Sequence, residues 1–550
     1  MTKRSVAALV IVIILVSGSF ATASVRFTTK EGEVAGVMTK SGTFFENVPF
    51  AGPPVGPLRW KAPRPPMKRS QLWDGSRLQV KCAQLAGFFS GVKTGAELGQ
   101  PFGSEDCLYL NVWVPRTTLS KLPVFVFLHG GSNRQGYASD PMYDGEELAR
   151  LTQSIVVTIN YRLGFFGAFY HRAMKSKDAV DSSGNFVTLD AIQALKWVRA
   201  NIADLGGDTS RLTLGGQSAG CMNVWGLIQS PKAKGLFDQA YCSSGFPNSY
   251  PTSTAEARVD AVIEKALVLR GLARDLSQAR SLKSTMSDEE IRKLLYGLST
   301  NEVLKLTPGS FPVQHVADGE VLPSASLAVF GIGQYNAVPM MISTNFEEGS
   351  FFFLQHSLKL KNSEYWNMTT GQSSSLPLSD FIASPEYSGF AADRKQFTYG
   401  MNQLIDSILV SGELYMPAIY RMRWNWEPTR EPWHSAFGAV HGLDLPLFFH
   451  KDKIPARHFF KFVEPELDAA SMQRSEEFLG YLKGFLHRGD PNAFLVSGQR
   501  WNKWNMWFPS NLIIERGEIR KKNFYFDPIF GTYDLLQSVL KVYENQVEGT

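Results

Sequence analysis

The sequence predicts an α/β protein, a mostly parallel central sheet with helices on both faces and large helical insertions. Three observations carry that prediction. Residues 108–115 (LYLNVWVP), 124–128 (VFVFL) and 156–161 are apolar runs rich in β-formers, as central strands are. Between the third run and the next strand, 212–214, lies a stretch with helical spacing, and strands alternating with helices argue for a parallel sheet. The strand 212–214 then runs into Gly216-Gln217-Ser218-Ala219-Gly220 and a helix-compatible stretch, 221–229. A serine between two glycines at a strand-to-helix turn is lifted to the top of the sheet, beyond the carboxyl ends of the strands, where ligands of such sheets sit.

Taken in order, the chain opens with Lys3 and Arg4, an almost wholly apolar run over 6–16, and Ala21-Thr22-Ala23, a small-x-small cleavage pattern. This reads as a secretory signal peptide over 1–23, because the apolar run falls short of the roughly 20 residues a membrane span needs. The end, 541–550, is polar, so it carries neither a second span nor a lipid-anchor signal. The expected product is secreted, with no stable membrane anchor. Short strands and turns fill 25–66 and end in a Pro-rich stretch, 49–56. In 189–202, Ile192, Leu195, Val198 and Ile202 share a helical face, and Gly206-Gly207 ends the helix. Residues 254–305 are mostly helical and charged. A further strand, 338–343 (VPMMIS), leads into Thr344-Asn345-Phe346-Glu347-Glu348-Gly349. Helical patterns occupy 380–424, a glycine-bounded loop 438–442, and another helix 475–485. From Trp501 the tail alternates as closing strands do.

No repeat, low-complexity tract or linker divides the 550 residues, so 24–550 reads as a single domain. The formal charge is +5, or +3 without Lys3 and Arg4, and the basic residues are scattered; a nucleic-acid partner is not expected. The composition leaves the oligomeric state open. Of the four cysteines, Cys82 and Cys107 bracket a Gly-rich loop and are the preferred pair; closing it stabilises by roughly 3 kcal/mol in the chain-entropy model. Cys221 and Cys242 lie in apolar segments and read as buried free thiols. Asn367-Met368-Thr369 is a glycosylation sequon and implies a surface loop.

A serine hydroxyl needs an adjacent base and an acid to orient that base. When the nucleophile sits on such a turn, the three follow in the order serine, acid, histidine. Of nine histidines, His441 fits, in the glycine-bounded loop after the sheet is nearly complete. His129 precedes the serine, in His129-Gly130-Gly131-Ser132 after a strand, the place for oxyanion donors. Glu347, Glu348 and Asp444 are all candidate acids; Glu348 has the better position, directly before a glycine.

On these residues the sequence resembles the type-B carboxylesterases, the α/β-hydrolase family that includes cholinesterases and insect juvenile hormone esterases. The likeness covers nearly the whole chain after residue 23. Glu105-Asp106-Cys107-Leu108-Tyr109-Leu110-Asn111 resembles one family signature, residues 206–220 the serine signature with Leu205 in place of Phe, and His487-Arg488-Gly489-Asp490-Pro491-Asn492 a late stretch. The resemblance implies Ser218 as nucleophile, Glu348 as acid and His441 as base. It places the backbone amides of Gly131, Ser132 and Ala219 in the oxyanion hole and Ser244 in support of the acid. It also maps the family's first disulfide onto Cys82 and Cys107, and ion pairs onto Arg59–Glu105 and Arg162–Asp190. Neither cofactor nor metal is implied, and the partner is a small-molecule ester.

The chain departs from its family at Ser132, where the motif ends in glycine. A serine amide donates equally well if the local backbone suits a residue with a Cβ. Gln217, where many relatives have Glu, resembles the juvenile hormone esterase pattern. Trp60 and Ala191 depart from it, replacing Phe and Gln. A secreted general carboxylesterase is therefore expected ahead of a dedicated juvenile hormone esterase. A cholinesterase would hold quaternary ammonium over an indole; the loop 83–106 offers Phe88, Phe89 and Phe102 but no tryptophan. The reading from another class is a non-catalytic adhesion or binding protein on the same fold; such relatives commonly lose a triad member, and this chain keeps all three.

Overall fold

The computed structural model describes residues 24–523 except 308–312, 314, 326, 375 and 508, so the signal-peptide reading of 1–23 lies outside the described residues. Twelve strands form one sheet. In chain order they are β1 (Ser24–Thr29), β2 (Gly32–Met38), β3 (Gly42–Pro49), β4 (Tyr109–Pro115), β5 (Leu122–Leu128), β6 (Ile155–Ile159), β7 (Gly207–Gln217), β8 (Gln239–Ser243), β9 (Met340–Asn345), β10 (Ile419–Asn425), β11 (Ser510–Glu515) and β12 (Ile519–Asn523). Across the sheet they lie β1-β2-β3-β4-β6-β5-β7-β8-β9-β10-β11-β12. From β6 to β11 neighbours run parallel, while β1 to β4 and β12 extend the two edges antiparallel.

Every residue of β5 (LPVFVFL) and β6 (IVVTI) is buried, which is why all but Thr158 are apolar, and the Thr158 hydroxyl donates to the Ala138 carbonyl at 3.0 Å. Among the helices, α1 (Phe186–Asn201) connects β6 to β7, and Gly206 at φ 82° ends the tightened turn that follows it. Helix α2 (Ala219–Gln229) begins directly after Ser218 and is buried along its whole length. Four helices between 252 and 306 form an insertion between β8 and β9. Helix α3 (Glu386–Gly412) precedes β10, and α4 (Ala469–Arg488) precedes β11.

The chain leaves β5 toward β6 and returns across β5 to β7, then continues in that direction to β8, so β5 and β7 exit to opposite sides. Between the carboxyl ends of β5 and β7 the connections therefore diverge, leaving the crevice in which open α/β sheets bind ligands. The loop after β5 carries Gly130 to Asn133, and the turn after β7 carries Ser218.

Three expectations need correction. Residues 419–425, read as helical, form the parallel strand β10, held by hydrogen bonding to β9 and β11. Cys221 and Cys242, read as free thiols, form a second disulfide with Cα atoms 4.8 Å apart, because β8 pairs with β7 just before the Ser218 turn. The sequon at Asn367 lies not in a surface loop but in the helix Asn362–Thr369, with Thr369 fully buried and bonded to the Tyr365 and Trp366 carbonyls. The Cys82–Cys107 disulfide forms as expected. So do the ion pairs: Arg59 Nη2 lies 2.5 Å from Glu105 Oε1, and the buried Arg162 Nη2 2.7 Å from Asp190 Oδ1. Among the described residues no helix is long and apolar enough to cross a membrane.

Candidate active site

Ser218 occupies a turn that only small neighbours permit. A Cβ on Gly216 would come within 2.4 Å of the Gly220 backbone, and one on Gly220 within 2.0 Å of the Leu128 carbonyl oxygen. Those two glycines let the turn fold onto the end of β5. Ser218 itself sits at φ 56°, ψ −123°, a region that L side chains rarely adopt. Its amide donates to the Ser243 carbonyl at 2.8 Å, tying the turn to β8. The side chain is partly exposed, and among the described residues its hydroxyl has no hydrogen-bond partner.

His441 lies in the expected loop, its imidazole mostly buried. Its Nδ1 stands 2.5 Å from Glu348 Oε2, and Glu348 is wholly buried. The backbone amide of Asn345 donates to the other oxygen, Oε1, at 2.7 Å. The adjacent carboxylate does different work: Glu347 accepts from the Ala439 amide at 2.9 Å and so braces the loop that carries His441. Asp444, the third candidate acid, accepts from Ser243 Oγ at 2.9 Å and Asn345 Nδ2 at 3.2 Å. Burial, and then the charge of nearby Glu348, raise its carboxyl above the ordinary range.

Ser244 does not meet the acid directly. Its Oγ accepts from Asn345 Nδ2 at 3.0 Å, and Asn345 in turn reaches Glu348. Gln217 is closer to the chemistry than its position suggested, with Nε2 3.3 Å from His441 Nε2. With Nδ1–H given to Glu348, His441 Nε2 is an acceptor, and the Gln217 amide donates to it.

The loop after β5 closes the other side. A Cβ on Gly130 would lie 3.1 Å from Ser218 Cβ, so the two segments touch. Among the described residues the amides of Gly131, Ser132 and Ala219 have no acceptor within the protein. Ser132 sits at φ 57°, the left-handed region that favours glycine. The Cβ is therefore accommodated at a cost of roughly 1 kcal/mol. His129 is buried and kept neutral by burial, its pKa lowered to about 4. It stacks on Tyr161 with ring centres 4.5 Å apart.

An aromatic wall stands beside His441. Phe351 and Phe352 lie 6.0 Å and 5.1 Å from the His441 ring, and Phe89 and Phe459 pack against Phe351 at 5.6 Å and 5.4 Å. The first disulfide loop delivers Phe88 and Phe89 to this wall. Sequence reasoning missed Asn345, Glu347 as brace, and the paired amides Asn133 and Asn223. Their partners lie far away in the chain, and only Asn345, three residues before the acid in a strand-to-turn segment, carried a local signal.

A model of the carboxylesterase family matches residues 23–525. The para-nitrobenzyl esterase of Bacillus subtilis (strain 168) is 33% identical over 422 residues, covering 77% of this chain and 82% of the relative. Pyrethroid hydrolase Ces2e of Rattus norvegicus is 32% identical over 503 residues, covering 84% and 82%. A solved structure of PNB esterase superposes with a TM-score of 0.70 at 28% identity, covering 93% of this chain and 99% of that one.

Proposed function

The chain belongs to the carboxylesterase family and hydrolyses carboxylic esters, and we propose that it does so through an acyl-enzyme on Ser218 with His441 as base and Glu348 as acid. The observation that carries this reading is the 2.5 Å contact between His441 Nδ1 and the buried Glu348 carboxylate. That contact fixes the tautomer, leaving Nε2, which now faces the Gln217 amide, as the acceptor a base needs.

The reaction follows in two halves. Gln217 gives up Nε2 of His441, which takes the proton of Ser218 as Oγ bonds to the ester carbonyl carbon. The amides of Gly131, Ser132 and Ala219 hold the oxyanion; losing one such donor costs about a hundred- to a thousandfold in rate. Collapse breaks the bond to the alcohol oxygen, which leaves with the proton from His441. Water, deprotonated by the same nitrogen, then attacks the acyl-enzyme and releases the acid and Ser218.

The phenylalanine wall supports esters with apolar or aromatic groups. The names of two relatives, a para-nitrobenzyl esterase and a pyrethroid hydrolase, make p-nitrobenzyl acetate a first probe. The leader-like residues 1–23 and the two disulfides support export from the cell. Covalent labelling by an organophosphate, mapped to Ser218 and lost in Ser218→Ala, is the expected result. No labelling, and no hydrolysis of p-nitrobenzyl acetate, short aliphatic acetates, choline esters or juvenile hormone, would sink the catalytic reading in favour of a binding protein. Turnover of juvenile hormone far above the other esters would instead make the enzyme a dedicated hormone esterase.

A further inference from the structure

Two asparagines outside the catalytic residues form a closed amide pair between the oxyanion loop and the nucleophile helix. Asn133 Nδ2 donates to Asn223 Oδ1 at 3.0 Å, and Asn223 Nδ2 donates back to Asn133 Oδ1 at 2.8 Å. Both side chains are almost wholly buried. Asn133 immediately follows Ser132, and Asn223 lies in the second turn of α2, five residues after Ser218. The second Nδ2 hydrogen of Asn133 goes to the Val313 carbonyl at 3.1 Å, while the Val313 amide donates to the Ser132 carbonyl at 3.1 Å. Asn223 also faces the Tyr161 hydroxyl, which donates to the His129 carbonyl at 2.6 Å. The Arg134 and Gln135 amides close the turn from within by donating to the Gly131 carbonyl at 2.9 and 3.1 Å, and the side-chain pair ties that turn to α2.

The backbone explains why such a clamp is needed. Ser132 and Asn133 sit at φ 57° and 55°, two consecutive non-glycine residues in the left-handed region. Asparagine tolerates that region, but serine gains little there from its own side chain. If Ser132 relaxed to negative φ, the peptide planes on either side would rotate and its amide would swing away from Ser218. Glycine at this position would hold the geometry without an opposing Cβ.

We propose that Asn133 and Asn223 are positioning residues whose paired amides hold Ser132 in the left-handed conformation and so keep its amide aimed at the oxyanion. This rests on the reading of the Gly131, Ser132 and Ala219 amides as oxyanion donors. Neither asparagine touches substrate; both act through the loop.

The test is a set of variants with p-nitrobenzyl acetate. Asn133→Gly removes one amide while keeping left-handed freedom at 133, and Asn223→Ala removes the other. Each is expected to lower kcat about ten- to a hundredfold with KM within about threefold, because the lost interaction acts on the transition state. Asn133→Gly combined with Asn223→Ala should lose no more than the worse single variant, since both break the same pair. Ser132→Gly placed on Asn223→Ala should restore at least tenfold of the loss. A trifluoromethyl ketone analogue should lose affinity in parallel with kcat. Single variants with kcat within twofold of wild type, losses that multiply, losses confined to KM, or no rescue by Ser132→Gly would each overturn the proposal. Asn223→Ser provides a milder variant if Asn223→Ala does not fold. Denaturant midpoints read the coupling without activity: the double variant should be no less stable than the worse single one. If the wild type hydrolysed no ester, the catalytic reading would fail while that stability coupling still decided the clamp.

Discussion

Replacing both Cys221 and Cys242 with alanine tests the least expected bond in the molecule. The two residues are 21 apart in sequence, and closing a loop of that size restricts the unfolded chain by about 3 kcal/mol in the entropy model. Both sulfurs are fully buried, and a Cβ on Gly245 would lie 2.8 Å from the Cys221 Sγ, so the void left by two alanines adds to that loss. The position matters more than the size. Cys221 lies in the first turn of α2, three residues after Ser218. Cys242 precedes Ser243, whose carbonyl accepts from the Ser218 amide and whose hydroxyl donates to Asp444. The bond therefore fastens together the two segments that hold Ser218.

Cys82→Ala/Cys107→Ala is the matched control, opening a loop with a separation of 25 and so a similar entropic loss. Denaturation followed by fluorescence of the 12 tryptophans, without reductant, should show both double variants less stable by about 3 to 4 kcal/mol. Under conditions where each remains folded, only Cys221→Ala/Cys242→Ala should lower kcat. Alkylation of the unreduced, denatured wild type should modify no cysteine. Iodoacetamide on Cys221 and Cys242, or a Cys221→Ala/Cys242→Ala variant as stable as wild type, would refute the reasoning.

Two further outcomes follow from the site and its surroundings. Glu348→Gln keeps the volume of the acid but offers an amide where His441 Nδ1–H needs an acceptor; kcat for p-nitrobenzyl acetate should fall about 10³- to 10⁴-fold with little change in KM, and a loss below tenfold would remove Glu348 from the acid role. His458 is buried among Phe89 and Phe460, and burial lowers its pKa to about 4, as it does for His129 and His315. The unfolded chain takes up a proton on such a group near pH 6.5 but the folded chain only near pH 4. Its stabilising contribution is thus complete above 6.5 and is lost as pH falls through that window, by at most about 3 kcal/mol per histidine. His458→Phe should flatten the fall in unfolding free energy between pH 6.5 and 4 by about one proton; an unchanged slope would show that His458 is protonated in the folded protein.

What could be read from the sequence was what both faces of an element agreed on. Strands β5 and β6 are buried on both sides, so only Thr158 interrupts their apolar runs and their nature is unambiguous. The glycines around Ser218 declared the turn because close backbone approach leaves no alternative residue. Strand β10 hid itself. Arg421 is almost wholly buried beneath α3, where Asp406 lies 3.1 Å away and Asn402 Oδ1 3.0 Å away, and an arginine in an apolar run resembles a helix surface until its partners are known. The pairing of Cys221 with Cys242 depends on β8 lying beside β7, a fact of sheet order that no local pattern carries. The sequon misled for the opposite reason: three residues define the motif, but whether Thr369 is buried depends on the helix around it. Glu347 and Glu348 are neighbours in the chain, yet the turn sends one to the Ala439 amide and the other into the core beneath His441.

Left-handed backbone gathers around this site in a way that separates chemical need from tolerance. Ser132, Ser218 and Ser244 all sit between φ 56° and 57°, and each costs on the order of 1 to 3 kcal/mol that the surroundings must offset. At Ser218 glycine would relieve the strain but remove the hydroxyl that the proposed acyl-enzyme needs. The sheet supplies the offset there through the Ser218 amide bonded to Ser243, and at Ser244 through its amide bonded to the Ser343 carbonyl at 2.9 Å. At Ser132 only the backbone amide has a part in the proposed reaction, which demands no side chain there. There the loop lies outside the sheet ladder, and the Asn133–Asn223 amide pair adds to the backbone bonds that close the turn, from the Arg134 and Gln135 amides to Gly131 and from the Val313 amide to Ser132. Strain at a reacting group can be carried by the sheet that presents it, whereas strain in a loop needs a dedicated partner.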